Sequence, residues 1–231
     1  MPNIKLISIG LIVLFWLAFA RTPVVLVTAL TSTLSPALVN AQESQDEVKT
    51  TKISCRAPVH QTGQTKCYRY NENKEKDEEV SCENIDKSQD GKQKKGAKWD
   101  PQSRFTDNQD GTVTDNLTGL IWLQNANCFD SLAWDDALLK ANELADHDNN
   151  DCGLSDGSQA GDWRLPNIKE LQSLISYGKR VNGEGGQVAL PEGHPFTGVQ
   201  PYYYWSSSTG SGVPGKAWGV YLGNGSVSRV R

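Results

Sequence analysis

The chain changes character at Trp99, and that break constrains the fold more than any single motif. Between Gln42 and Lys98 the sequence is polar. Residues 71–98 hold seven Lys and eight Asp or Glu, with Val80 and Ile85 as the sizeable aliphatics. Too little apolar surface is present there to offset the entropy of ordering, which predicts a mobile arm over 42–98. From Trp99 to Arg231 the aromatics and glycines gather, and short apolar runs alternate with turn signals. A domain of that length hides roughly two thirds of its unfolded surface. Its punctuation predicts many short elements rather than a few long ones.

In "RFTDNQDGTVTD", Asp110-Gly111 separates two strand-like runs and signals a hairpin, because Gly accepts positive φ. The crowded acids also suggest calcium. An EF-hand loop, however, needs Gly at its sixth position and Glu at its twelfth. Counted from Asp107 these are Thr112 and Thr118, and counted from Asp146 they are Asp151 and Gly157. No metal and no cofactor is expected. "LIWL", residues 120–123, follows a second turn as a buried strand.

Two helices come next. Residues 131–145 carry Leu132, Ala133, Ala137, Leu138, Ala141, Leu144 and Ala145 along one stripe. In "RLPNIKELQSLISYG", Asn167 and Glu170 have capping-box spacing, Ile168, Leu171, Leu174 and Ile175 form the buried face, and Gly178 suits the C-terminal turn. The C-terminal third is β, with Asn224-Gly225 as a type I′ hairpin signal. Alternation places Trp218, Val220 and Leu222 in the core and Ala217, Gly219 and Tyr221 on an open face. Trp122, Trp134, Trp163, Trp205 and Trp218 are all expected in the core.

The N-terminus has a different logic. Lys5 precedes an apolar run from Leu6 to Ala20, and a second apolar stretch ends at "ALVNA", residues 37–41. This is the pattern of a secretory signal over residues 1–41, with an uncleaved anchor as the alternative. Export implies an oxidising compartment, periplasmic, outer-surface or extracellular, with membrane contact only through the N-terminal segment. Five cysteines occur and no C-x-x-C pair. Disulfides are therefore expected, and sequence does not fix their connectivity. The local pairing is Cys67–Cys82 and Cys128–Cys152, leaving Cys55. The formal charge of −4 becomes about −6 once Lys5 and Arg21 are removed, which argues against nucleic acid as a partner.

The candidate ligand-binding residues are Ser207, Ser208, Thr209, Ser211, Tyr221, Asn224, Ser226 and Ser228. Tyr, Ser, Gly and Asn together make a paratope-like palette, with an ordinary hydrophilic loop as the alternative. His60, His147 and His194 sit in no catalytic motif, so no catalytic residue is assigned.

Four motifs occur in order: "RFTDNQDGTVTDNLTGLIWLQNANC", "GDWRLPNIKELQSLISYG", "LPEGHPFTGVQPYYYWSSS" and "AWGVYLGNG". Together they resemble the C-terminal domain of the Lcl collagen-like adhesins, over a span from about Gln61 to the end. The resemblance implies a C-type-lectin-like fold of the formylglycine-generating-enzyme kind. That is an α+β architecture with two helices packed on short antiparallel β-hairpins. In relatives varied by diversity-generating retroelements, variation falls on the C-terminal β segment, here Tyr203 to Ser228, which implies binding by a surface. Formylglycine-generating enzymes use a pair of active-site cysteines, and this sequence has none near its C-terminal strands. It also has no collagen-like repeat ahead of the domain and passes directly from "NGSVS" to "RVR". The adhesin branch is credited with binding sulfated glycans. From Pro101 on, nine Lys or Arg face fifteen Asp or Glu, a balance unfavourable to that class.

The expectation is an exported, non-enzymatic binding or adhesion module recognising a protein or glycan at the cell surface through its C-terminal β surface. A structural envelope component without a small ligand is the alternative. An enzyme on a formylglycine-generating-enzyme-like fold has the least support.

Overall fold

Turn chemistry builds most of this fold, and one loop design recurs in it. The computed structural model describes residues 5–7, 10–11, 59–85, 88–147, 152–179, 187–212 and 216–231. The strands among them are β1 (Lys5–Leu6), β2 (Gly10–Leu11), β3 (Cys67–Asn71), β4 (Lys76–Val80), β5 (Phe105–Asp107), β6 (Thr112–Asp115), β7 (Leu120–Leu123), β8 (Ser131–Leu132), β9 (Trp163–Arg164), β10 (Tyr203–Thr209), β11 (Ala217–Tyr221) and β12 (Ser226–Val230). The helices are α1 (Asp90–Gln93), α2 (Pro101–Arg104), α3 (Trp134–Glu143) and α4 (Ile168–Ser173). The class is mixed α+β, with few helices and several sheets.

Hairpins β3–β4, β6–β7 and β11–β12 each close through four residues, and the last of the four has positive φ: Glu75 (49°), Gly119 (73°) and Gly225 (80°). The Gly119 and Gly225 N–H groups donate to the carbonyls four residues back, Asp115 (2.7 Å) and Tyr221 (2.8 Å). The type I′ turn expected at Asn224-Gly225 is not made. Only Gly225 takes positive φ, and the Asn224 side chain instead accepts the Ser226 N–H (2.9 Å). The hairpin expected at Asp110-Gly111 is present as β5–β6. Asp107 and Asp110 accept the N–H groups of Gln109 (2.9 Å) and Thr112 (3.0 Å), so these carboxylates shape the turn. A Cβ on Gly111 would lie 2.2 Å from the Gly153 carbonyl, which fixes this turn against the loop carrying Cys152.

Two five-stranded sheets run β5-β6-β7-β1-β9 and β12-β11-β10-β2-β8. Their central strands are apolar on both faces and feed two cores. Leu6, Trp122, Tyr204 and Val220 enter one, together with Leu171, Leu174 and Ile175. Ile7, Leu123, Trp205 and Ala217 enter the other, with Ala137 and Ala141 of α3. The capping box of α4 is complete: Asn167 accepts the Lys169 and Glu170 N–H groups, and Glu170 accepts the Asn167 N–H (2.7 Å). Burial works against the Glu170 carboxylate, yet the Arg164 fork and that N–H hold its pKa below the usual range. The helix stops at Ser173, earlier than expected: Leu174 and Ile175 donate only three residues back, to Leu171 and Gln172, and the N–H groups after them leave it. Ser176 donates to Ala189 and Tyr177 to Thr62. Gly178 is accordingly no helix cap; its backbone passes so near Gly63 that a Cβ would clash.

The segment expected as a mobile arm is folded wherever it is described. Residues 42–58, with Cys55, lie outside the described residues. Beyond them, His60 bridges to Ala97, and Trp99 Nε1 donates to the Gln61 carbonyl (2.7 Å). The Gln89 amide bonds both the N–H (2.9 Å) and the carbonyl (2.7 Å) of Tyr68. Cys67 joins Cys82 with Cα atoms 5.1 Å apart, and Cys128 joins Cys152 at 5.2 Å, the local pairing. The composition argument failed because the segment takes its burial from the domain it lies on, not from its own few aliphatics. The expectation of antiparallel hairpins also needs amendment. β1, drawn from the segment expected as a leader, lies parallel to both β7 and β9.

Beside Trp99 the domain holds a buried ion pair. Arg104 Nε and Nη2 donate to Asp115 (3.2 and 3.0 Å), and Nη2 also donates to the Ser173 carbonyl (2.7 Å). Neither side chain is solvent-accessible. The Trp99 and Phe105 rings flank the guanidinium at 5.0 and 4.8 Å. Arg104→Ala should cost about 3–5 kcal/mol in urea unfolding, since it leaves Asp115 charged and unpaired. A loss below about 1 kcal/mol, the size of a surface pair, would show that water reaches the site.

Burial, and then the Arg104 charge, hold the His60 pKa below its ordinary 6.5. The folded chain resists a proton that the unfolded chain accepts. Stability is therefore full above 6.5 and lost as pH falls from there. The melting temperature should drop between about pH 7 and about pH 5, and drop less in His60→Gln. Equal drops in both proteins would remove His60 from the account.

Candidate functional site

Tyr203 and Tyr221 face each other across β10 and β11, with ring centroids 5.3 Å apart and planes at 54°. The next pair on the same strand face, Trp205 and Gly219, is buried. The tyrosines therefore stand half-open at the end of the sheet where the core runs out. The Tyr221 ring lies close over Gly223, where any Cβ would clash with it. A Cβ on Gly225 would come within 3.2 Å of the Tyr177 ring. The two glycines thus let two aromatic rings lie against one loop. Tyr177 is 42% exposed and Tyr202 63%. Gln172 donates to the Tyr177 hydroxyl (3.1 Å), and the Tyr202 carbonyl accepts the Leu222 N–H (2.9 Å). Four tyrosines therefore stand around the loop 222–225, with Asn224 and Ser226 exposed at its rim.

The structure divides the eight predicted residues into two groups. Tyr221, Asn224 and Ser226 come together at this loop, and Ser228 follows half-buried on β12. Ser207, Ser208, Thr209 and Ser211 lie toward the other end of the sheet. Thr209 pairs with Ala217, four residues from Tyr221 and about 14 Å away at the usual strand rise. Two of these serines are already engaged. The Ser207 N–H donates to the Pro166 carbonyl (2.8 Å), and Ser208 Oγ accepts the Ile168 N–H (3.1 Å), so both anchor the start of α4.

The face assignment of β11 needs correction at one end. Val220 and Leu222 are core as expected, but Trp218 is half-buried, with the Arg229 guanidinium 5.7 Å from its ring, and Ala217 is core instead. β11 pairs with β12 in unbroken register, so its alternation holds; both of its faces are covered, with Val220 and Leu222 in one core and Ala217 in the other, and the expectation of one open face was the error. Trp134 is also only partly buried; its Nε1 donates to the Ser206 carbonyl (2.8 Å).

Sequence reasoning missed Tyr203, Tyr177 and Tyr202. Tyr203 was within reach, because pairing β10 with β11 places it opposite Tyr221. Tyr177 was not, since its approach to Gly225 is tertiary. A cleft of about 300 Å³, lined by Gln61, Gly63, Lys94, Trp99, Ser176 and Lys179 among others, was equally hidden because one wall of it is the supposed arm.

A sequence profile of the Lcl C-terminal domain matches residues 111–231, more than half of the chain, and the chain belongs to that family. No curated protein and no solved structure matches it. The matched span holds the whole tyrosine surface.

The burial pattern sets an order of costs. Trp205→Ala should lose about 3–5 kcal/mol, Trp218→Ala clearly less, and Tyr221→Ala almost nothing. Denaturant unfolding of the three variants tests this. A Trp218→Ala loss as large as that of Trp205→Ala would return Trp218 to the core.

Proposed function

We propose that the protein is an exported, non-enzymatic binding module that recognises a protein or glycan through the tyrosine surface at the end of β10, β11 and β12. The observation that carries this reading is the grouping of Tyr177, Tyr202, Tyr203 and Tyr221 around a glycine-bearing loop. Tyrosines offer large contact area at low conformational cost, and Asn224 and Ser226 add adaptable hydrogen bonds at the rim. The two disulfides fit an extracytoplasmic location. Membership of an adhesin-related family, whose members the sequence reading links to a C-type-lectin-like fold, agrees with binding at a cell surface. A non-catalytic role is supported by the separation of the histidines. His60 lies beside Arg104, His147 is exposed next to Asp146, and His194 lies beside Phe196.

The test is an array of envelope proteins and glycans probed with the full chain, followed by titration of the best hit. Tyr203→Ala and Tyr221→Ala should each weaken binding by about 2 kcal/mol while leaving the melting temperature nearly unchanged. Binding that survives both substitutions moves the site elsewhere. An array without any hit favours a structural envelope component.

A further inference from the structure

β1 is short, but it fills a place that three kinds of interaction define. It lies between β7 and β9 and pairs with both in parallel, with Lys5 opposite Ile121 and Trp163 and Leu6 opposite Trp122 and Arg164. The Ile7 N–H donates to the Arg164 carbonyl (3.1 Å). Leu6 and Ile7 are both fully buried, and they enter different cores. Lys5 Nζ meets Asp156 Oδ2 at 2.7 Å and sits 5.8 Å from the centre of the Trp163 ring. The domain itself holds this acid in place. Ser158 donates its N–H (3.1 Å) and hydroxyl (2.6 Å) to Asp156 Oδ1, and Trp163 Nε1 donates to Ser158 Oγ (2.9 Å). Burial works against the Asp156 carboxylate, yet Lys5 and Ser158 hold its pKa below the usual range.

Residues 1–41 have the pattern of a removable leader. Taking β1 away would leave unpaired backbone on β7 and β9, two empty apolar sockets, and the Asp156 carboxylate without its cation. Each of these is unfavourable on its own. Together they specify an occupant: an extended segment, running parallel, with a cation first and two aliphatic side chains after it.

We propose that the seam between β7 and β9 is a strand-acceptor site, filled by Lys5–Ile7 in the intact chain and, once the leader is removed, by an extended segment of a partner polypeptide carrying a basic residue followed by two aliphatic ones. Recognition is by strand addition. Main-chain hydrogen bonds give affinity, and the Asp156 position and the Leu6 and Ile7 sockets give selectivity. Before removal the tethered leader is present at high effective concentration and excludes competitors, so the seam opens only on a processed chain. This site is separate from the tyrosine surface and rests on the reading of residues 1–41 as a leader.

Two measurements keep the leader reading and the seam apart. Intact mass of the exported protein tests the first. A mature chain still carrying Lys5–Ile7 overturns the proposal, because the seam is then never vacated. The second uses the full chain with a protease site placed between residues 42 and 57. After cleavage, the N-terminal fragment is exchanged in mild denaturant against a fluorescent synthetic peptide of residues 3–11. Anisotropy should show saturation at one peptide per chain. A peptide with Leu6→Asp and Ile7→Asp should bind roughly tenfold or more weakly, and so should the native peptide on an Asp156→Asn chain. Binding that ignores Leu6, Ile7 and Asp156 is nonspecific and overturns the proposal. So does a cleaved chain that sheds its fragment, keeps the melting temperature of the uncut protein and takes up no peptide. If the cleaved chain does not refold, Leu6→Asp in the uncut chain decides. A large fall in melting temperature supports a seated strand, and no fall removes it.

Discussion

Arg104 and Asp115 face each other without access to water, and four parts of the molecule converge on them. Arg104 ends α2. Asp115 ends β6, and its side chain accepts the N–H of Leu117, while its carbonyl accepts the N–H of Gly119 to close the next turn. The second Arg104 nitrogen reaches the Ser173 carbonyl at the end of α4. The Trp99 ring, whose Nε1 donates to the Gln61 carbonyl of the polar segment, covers the guanidinium. A forked, charge-assisted pair fixes angles as well as distances. Helix α4 and the loop after it thus take their position from this point, and Tyr177 with them. Arg104 Nη1 has no hydrogen-bond partner among the described residues and lies among aromatic faces, so the pair favours specificity of arrangement over maximum stability.

What the sequence made legible was local. Asp110-Gly111 announced a hairpin, Asn167 and Glu170 announced a capping box, and the local cysteine pairing, one of several the sequence allowed, is the one made. In each case the residues that determine the structure are close in sequence, at most 24 positions apart. What stayed hidden was set across the chain. Residues 59–98 look unable to fold because their composition holds few aliphatics, yet Cys67 and Ile85 are buried and Trp99 reaches back to Gln61. Composition measures what a segment can bury by itself, and this one is covered by its neighbours. The N-terminal run has the composition of a leader and also, at Leu6 and Ile7, the two-sided apolar character of a central strand. Periodicity alone does not separate those readings.

The candidate site was legible by half for the same reason. Tyr221, Asn224 and Ser226 emerge from one hairpin and were found together. Ser207 and Ser208 belong to the same polar run, but their backbone and hydroxyl groups serve Pro166 and Ile168, a contact some forty residues distant in sequence. Polarity in a strand therefore did not distinguish a serine facing a ligand from one holding a helix. The error at Trp218 has a comparable origin. Alternation was read as one buried and one open face, whereas β11 is covered on both, Val220 entering one core and Ala217 the other across the chain.

The two disulfides and β1 divide the work of holding the molecule together unevenly. The disulfides close loops with sequence separations of 15 and 24, a span for which chain entropy predicts about 3 kcal/mol of stabilisation each. Both act on local segments: one staples the β3–β4 hairpin, the other ties the loop before α3 to the loop that packs on Gly111. Neither has a cysteine within β7, β1 or β9. The joint between those strands is held by hydrogen bonds, by Leu6 and Ile7, and by the contact of Lys5 with Asp156. Oxidation therefore secures local loops and leaves this central strand place noncovalent. β1, which comes from the N-terminal end of the sequence, is thus held between β7 and β9 without a disulfide.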